Sequence, residues 1–121
     1  MKKILIVDDS PVVRHSLCTL FRERAEWHVC GEAENGREGI DKAQELSPDL
    51  VLMDLSMPVM NGFQAARELR QLMPQLPILM FTSSKTAQLE TEALAVGVTA
   101  VCFKSEGVET LVTSIRHLLK A

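Results

Sequence analysis

Two carboxylates stand side by side at Asp8 and Asp9, where the run ILIVDDSP ends. Like charges that close disfavour each other's ionisation. Further along, other short apolar runs also end on chemically capable side chains: Asp54 after LVLM, Thr82 and Ser83 after ILMF, and Lys104 after AVCF. If these ends meet, the three carboxylates contribute −3 and the ammonium +1, a sum of −2 that one divalent cation cancels. Oxygen donors with positions open to water suit Mg²⁺, with Mn²⁺ an acceptable substitute. In such a setting a carboxylate such as Asp54 can accept a phosphoryl group and form an acyl phosphate. Lys104 and the cation would balance charge on the equatorial oxygens while Thr82 supplies a hydroxyl hydrogen bond. A plainer reading makes Asp8 and Asp9 an acidic cap for a helix beginning at Pro11. It accounts for one aspartate, but not for the coincidence with Asp54 and Lys104.

Elements that would bring these residues together are visible in the pattern. Short β-rich runs recur at 3–7, 28–33, 50–53, 78–81 and 100–103, separated by segments of helical periodicity. Val13, Leu17, Leu20 and Phe21 mark one apolar stripe; Val108, Leu111, Val112, Ile115, Leu118 and Leu119 mark the clearest. Ser10-Pro11 reads as an N-cap with proline in the first turn. Asn35-Gly36 precedes the second helix, Ser47-Pro48 follows it, and Gly97 sits where the fourth should end. MPVMNG at 57–62 reads as a turn, with Pro58 rigid and Gly62 supplying backbone freedom. The order is βα five times, and continuously apolar strands imply a parallel sheet covered by helices on both faces. In open sheets of that kind, ligands bind beyond the carboxyl ends of the strands, where the reactive residues fall. Glu32 and Glu34, at the end of the second strand, read as solvated.

The chain has 121 residues, enough for one domain with a real core, and no linker or low-complexity tract divides residues 1–121. A net charge of −3 gives no support for broad electrostatic capture of nucleic acid or an anionic membrane. No apolar run reaches membrane-spanning length and no signal-peptide pattern opens the chain, so a cytoplasmic protein is expected. Cys18, Cys30 and Cys102 lack zinc-ligand spacing and read as small buried hydrophobes in a reducing compartment. His15, His28 and His117 form no pair at metal-ligand spacing and read as surface or structural residues.

VDDS, LMDLSMPVMNG, FTSS and FKS, in that order, resemble the receiver domain of two-component response regulators, and the likeness covers essentially the whole chain. WHVCGEAENGREGI adds a similarity to receivers that precede a LuxR-type helix-turn-helix domain. The resemblance implies a flavodoxin-like (CheY-like), doubly wound α/β fold with strand order 2-1-3-4-5 and five helices. It implies Asp54 as phosphoacceptor, and Asp8 and Asp9 as the metal-binding pair, Asp9 directly and Asp8 through water. The Ser56 backbone carbonyl would be a further metal ligand, and Thr82 and Lys104 the contacts to the phosphoryl group. Ser83 and Ser84 would modulate the site. The implied activity is phosphoryl transfer from a sensor histidine kinase, or a phosphotransfer protein, to Asp54. Self-dephosphorylation follows, without turnover of a separate substrate. The implied output surface comprises helix 4, strand 5 and helix 5, read by an output protein or a homodimer partner, with neither nucleic acid nor membrane contacted through this domain. The chain is then either a stand-alone receiver or the receiver of a transcription factor.

Rival readings fit less well. An aspartate-nucleophile phosphatase carries a second acid two residues after the nucleophile, where this chain has Ser56. A flavin carrier of the same fold would present hydrogen-bond donors to phosphate after the first strand, where this chain presents two carboxylates. A degenerate receiver would lack site residues that are all present. Two departures from the family are visible. The switch position three residues before the lysine, commonly aromatic, is Val101, and the common proline after the lysine is Ser105. Phe103 is assigned to the strand face opposite Val101, so it is not expected to replace that aromatic. Without proline, the Lys104–Ser105 peptide is expected to be trans.

Overall fold

A computed structural model describes residues 1–120. Its elements are β1 (Lys2–Val7), α1 (Pro11–Arg22), β2 (Trp27–Ala33), α2 (Gly36–Leu46), β3 (Leu50–Met53), α3 (Gly62–Leu72), β4 (Ile78–Thr82), α4 (Leu89–Ala95), β5 (Ala100–Phe103) and α5 (Val108–Leu118). A single 3₁₀ turn, Lys104–Glu106, joins β5 to α5. The strands form one sheet in the order β2-β1-β3-β4-β5, with every pairing parallel. Ile4–Val7, Leu50–Met53 and Ile78–Met80 are fully buried, because helices cover both faces of these central strands. One face packs against α1 and α5 through Leu17, Phe21, Leu111 and Ile115; the other packs against α2, α3 and α4 through Ile40, Ala65, Leu69 and Ala93. Phe21 and Trp27 meet edge to face at 5.5 Å, a geometry that places the positive ring edge on the negative ring face.

Local chemistry sets the helix starts. Ser10 Oγ accepts from the Val13 N–H at 3.3 Å, ahead of Pro11. Asn35 Oδ1 accepts from Glu38 N–H at 2.9 Å. Asn61 and Gln64 form a reciprocal capping box, with both bonds at 2.9 Å. Asn61 is therefore a helix cap as well as a turn residue. α4 is only seven residues long, starts at Leu89 and has no side-chain cap at Gln88. Arg70, at the end of α3, donates from Nε and Nη2 to the Gly97 carbonyl (3.0 and 2.6 Å) and from Nη1 to Pro74 O (2.9 Å). It thereby holds the turn that follows α4.

The loop between β3 and α3 departs from expectation in one respect. Its left-handed residue is Val59 (φ 68°), 82% exposed, whereas Gly62 does not adopt positive φ. Gly62 is needed for space: a Cβ there would run into the Asp54 carbonyl oxygen and lie 3.0 Å from Leu55 Cα. β-Branched Val59 is strained in the left-handed region.

No peptide bond is cis among the described residues, so Lys104–Ser105 is trans as expected. Val101 and Phe103 are two residues apart and share a face, which corrects the expectation that Phe103 points away. Val101 packs half-buried against the core beneath α4. Phe103 is 6% exposed, with the Lys85 ammonium 5.5 Å above its ring. Of the cysteines, only Cys102 is fully buried; Cys18 and Cys30 are half-buried, and all are free. The three histidines are exposed. Among the described residues no helix is long and apolar enough to cross a membrane.

Gly62→Ala should cost about 1–3 kcal/mol, because its methyl group meets backbone that cannot swing aside. Urea denaturation measures this, and wild-type stability would show that the loop yields.

Candidate functional site

The carboxyl ends of β1 and β3 lie side by side, since Val7 pairs with Met53. The next residue in each strand is an aspartate, so the sheet itself brings Asp8 and Asp54 together. Asp54 N–H donates to Val7 O at 2.9 Å, and Asp8 N–H to Ala33 O at 3.0 Å, so both residues are fixed by the ladder just before the chain turns away. Asp8 is 2% exposed and Asp54 8%, whereas Asp9 is open to solvent. One carboxylate oxygen from each of Asp8, Asp9 and Asp54 lies within 4.8 Å of the others.

The ammonium reaches this cluster from the far side of the sheet. Lys104 Nζ is 3.0 Å from Asp8 Oδ2 and 3.6 Å from Asp54 Oδ2. On the way it crosses the Phe81 ring of β4, 5.6 Å from its centroid. The remaining oxygens have backbone donors: Ser10 N–H to Asp8 Oδ1 (2.9 Å) and Leu55 N–H to Asp54 Oδ1 (2.8 Å). Burial pushes the Asp54 carboxyl above its ordinary range and the Asp8 charge pushes it further, while Lys104 and the Leu55 N–H pull it back.

Thr82, 1% exposed, ends β4 and pairs in register with Phe103, directly before Lys104. Its Oγ1 accepts from Ser84 N–H at 3.2 Å. Ser83 is exposed, Ser84 half-buried, and Ser56 exposed in the loop after β3. The structure thus brings Asp8, Asp9, Asp54 and Lys104 together, and sets Thr82 at the same sheet edge. Glu32 and Glu34 are exposed, as expected, but Glu32 is not idle. Arg14 Nε donates to its Oε1 at 3.2 Å, while Arg14 Nη1 donates to the Asp8 carbonyl at 2.6 Å. Arg14 was not foreseen as part of the site; the available signal was an arginine one helical turn past the Ser10 cap.

Three acidic side chains and one ammonium on a sheet edge can bind a divalent cation and present a carboxylate as a nucleophile. Comparison with known proteins gives the context. The family model of the response regulator receiver domain matches residues 4–116. The transcriptional regulatory protein LnrK of Bacillus subtilis (strain 168) is 39% identical over 115 residues, covering 95% of this chain and 52% of that protein. A protein-glutamate methylesterase/protein-glutamine glutaminase of Hahella chejuensis is 38% identical over 122 residues, 97% of this chain and 31% of that one. The crystal structure of a LuxR-family two-component response regulator from Aurantimonas sp. SI85-9A1 superposes with a TM-score of 0.94 at 32% identity, covering 98% of this chain and 85% of that one. The chain spans about half the length of the first of these relatives.

The raised pKa of Asp54 has a stability consequence. The folded protein holds this proton more tightly than the unfolded chain, so the ionised form costs stability at neutral pH. That cost fades as pH falls through the raised folded value. Metal-free Asp54→Asn should therefore melt a few degrees above wild type at pH 7, since about 1 kcal/mol moves a domain of this size by about 4 °C. The gap should narrow towards acid pH. Calorimetry in chelator checks both, and an equal or lower melting temperature at pH 7 would count against the charge assignment.

Proposed function

The chain belongs to the response regulator receiver domain family, and from that premise we propose that it receives a phosphoryl group on Asp54 from a phosphohistidine of a sensor kinase or phosphotransfer protein. The observation that carries this reading is the cluster itself, in which a buried carboxylate at a strand end faces two further acids and an ammonium. An Asp54 carboxylate oxygen attacks phosphorus, an O–P bond forms, the P–N bond breaks, and its electron pair leaves with the imidazole. Lys104 moves its hydrogen bonds from carboxylate to phosphoryl oxygen, Thr82 donates its hydroxyl, and the Asp8 carboxylate stays held by Ser10 N–H.

The donor set fits Mg²⁺: hard carboxylate oxygens, one of them open to water, and a formal charge of −2 to neutralise. Asp8, Asp9 and Asp54, with the Ser56 carbonyl, would hold it. When bound, the ion offsets charge on the transferring group and on the acids around it. Ser83 and Ser84, beside Thr82, would tune access of water to the acyl phosphate. The activity assigned to this domain is acceptance and loss of the phosphoryl group without a separate substrate. The methylesterase name belongs to a relative of which this chain matches under a third.

A phosphorylated Asp54 carries about two charges in place of one and adds acceptor oxygens. Thr82 is drawn towards them, and the packing of Val101 beneath α4 changes with it. The surface of α4, β5 and α5 is the output face, read by an output protein or a second copy in the cytoplasm. With a small Val101 where an aromatic is common, the shift at that position is modest.

Acetyl phosphate with Mg²⁺ should add one phosphoryl group by mass, and both chelator and Asp54→Asn should abolish it. An acid-stable adduct that survives Asp54→Asn would overturn the assignment. Beryllofluoride should move amide shifts in α4 and α5; changes confined to the loops around Asp54 would refute the output face.

A further inference from the structure

Arg14 spans two elements. It lies on α1, its side chain is 17% exposed, and its guanidinium divides between Glu32 on β2 and the Asp8 carbonyl at the end of β1. That carbonyl belongs to the peptide joining Asp8 to Asp9. Among the described residues no backbone N–H donates to it, because the chain has already left the ladder. A buried carbonyl without a donor is costly, so the guanidinium fixes the plane of this peptide. The plane matters because the two acids diverge there: Asp8 turns inward to Lys104 and Ser10 N–H, and Asp9 turns outward to solvent. Rotation of the peptide would carry the Asp9 carboxylate away from those of Asp8 and Asp54.

We propose that Arg14 is a positioning residue for the cation site, holding the Asp8–Asp9 peptide so that the three carboxylates converge. This rests on the reading of Asp8, Asp9 and Asp54 as the cation ligands. The direction of the effect separates it from electrostatics. A guanidinium near a cation site repels the incoming ion, so a purely electrostatic Arg14 would weaken binding and its removal would tighten it. A positioning Arg14 strengthens binding, and its removal loosens it. Lysine keeps the charge but lacks the planar fork that serves two acceptors at once.

The experiment is a calorimetric titration of Mg²⁺ into wild type, Arg14→Gln, Arg14→Lys and Glu32→Gln, with chelator-state ¹⁵N spectra and melting curves of each. The expected result is about tenfold weaker binding in both Arg14 variants, little change in Glu32→Gln, and metal-free shift changes centred on Asp9 and Ser10. Unchanged or tighter binding in Arg14→Gln and Arg14→Lys overturns the proposal, as does weaker binding in Arg14→Gln alone. Lower melting temperatures with unaltered affinity would do the same, marking Arg14 as a fold residue. If Arg14→Gln fails to fold, Arg14→Lys decides. Failure of the underlying site reading looks different: wild type would then bind Mg²⁺ no better than Asp9→Asn or Asp54→Asn.

Discussion

A carboxylate taken out of water must meet a cation or take up a proton, and this fold places two of them, Asp8 and Asp54, at one buried point. Their meeting follows from pairing β1 with β3 in a register that ends both strands together. The answering charge comes from β5, three strand positions from β1, a separation of about 14 Å at ordinary strand spacing. Only a long side chain covers much of that distance, and Lys104 does so across the Phe81 ring. The strand order thus has an electrostatic meaning. With β5 placed on the far edge beyond β2 instead, Lys104 would approach from the other side and lose its path across Phe81.

Much of the surrounding loop structure serves the same point. The β3–α3 connection must pass close to the Asp54 carbonyl, which is why a side-chain-free residue starts α3. The turn before it folds tightly enough to force Val59 into left-handed backbone. The capping box of Asn61 and Gln64 then fixes where the helix begins. On the other side of the site, Ser10 performs two tasks: its hydroxyl caps α1 and its N–H holds Asp8. Helix initiation and carboxylate orientation are therefore one local structure, which limits what can replace Ser10 or Pro11.

The strands and the acidic cluster were legible in the sequence for a physical reason. Central strands of a parallel sheet are buried on both faces, so ILIV, LVLM and ILM read as unbroken apolar runs, and the residue ending each run lands at the ligand edge. β1 and β2 each begin one residue before the apolar pattern suggests, at exposed Lys2 and at Trp27, which is buried against Phe21. Less legible was anything decided by three-dimensional closeness. Asp8 and Asp9 are chemically identical neighbours, and nothing in their order says that one is buried and the other exposed. Gly62 reads as conformational freedom, yet its role is clearance. Arg14 looks like a solvated charge on a helix until its reach to Asp8 O is seen. The facing of Phe103 was readable by alternation, since positions 101 and 103 must agree. The start of α4 leaves no mark in the sequence, because no side chain caps it.

The grip of Arg70 on the Gly97 carbonyl gives α4 unlike ends. Its C-terminal turn is tied to α3, while its N-terminal end, after the exposed 85–88 segment, carries no cap and has Lys85 resting on Phe103 as a lateral contact. Mechanically this is a short lever with a fulcrum at Gly97. A push delivered near Thr82 would act at the end not tied to α3, anchored there only by buried Leu89, and would favour a tilt over a slide. A rigid rod of seven residues, about 10 Å long, would then sweep its exposed face through an arc widest beside the site and smallest at the anchored turn.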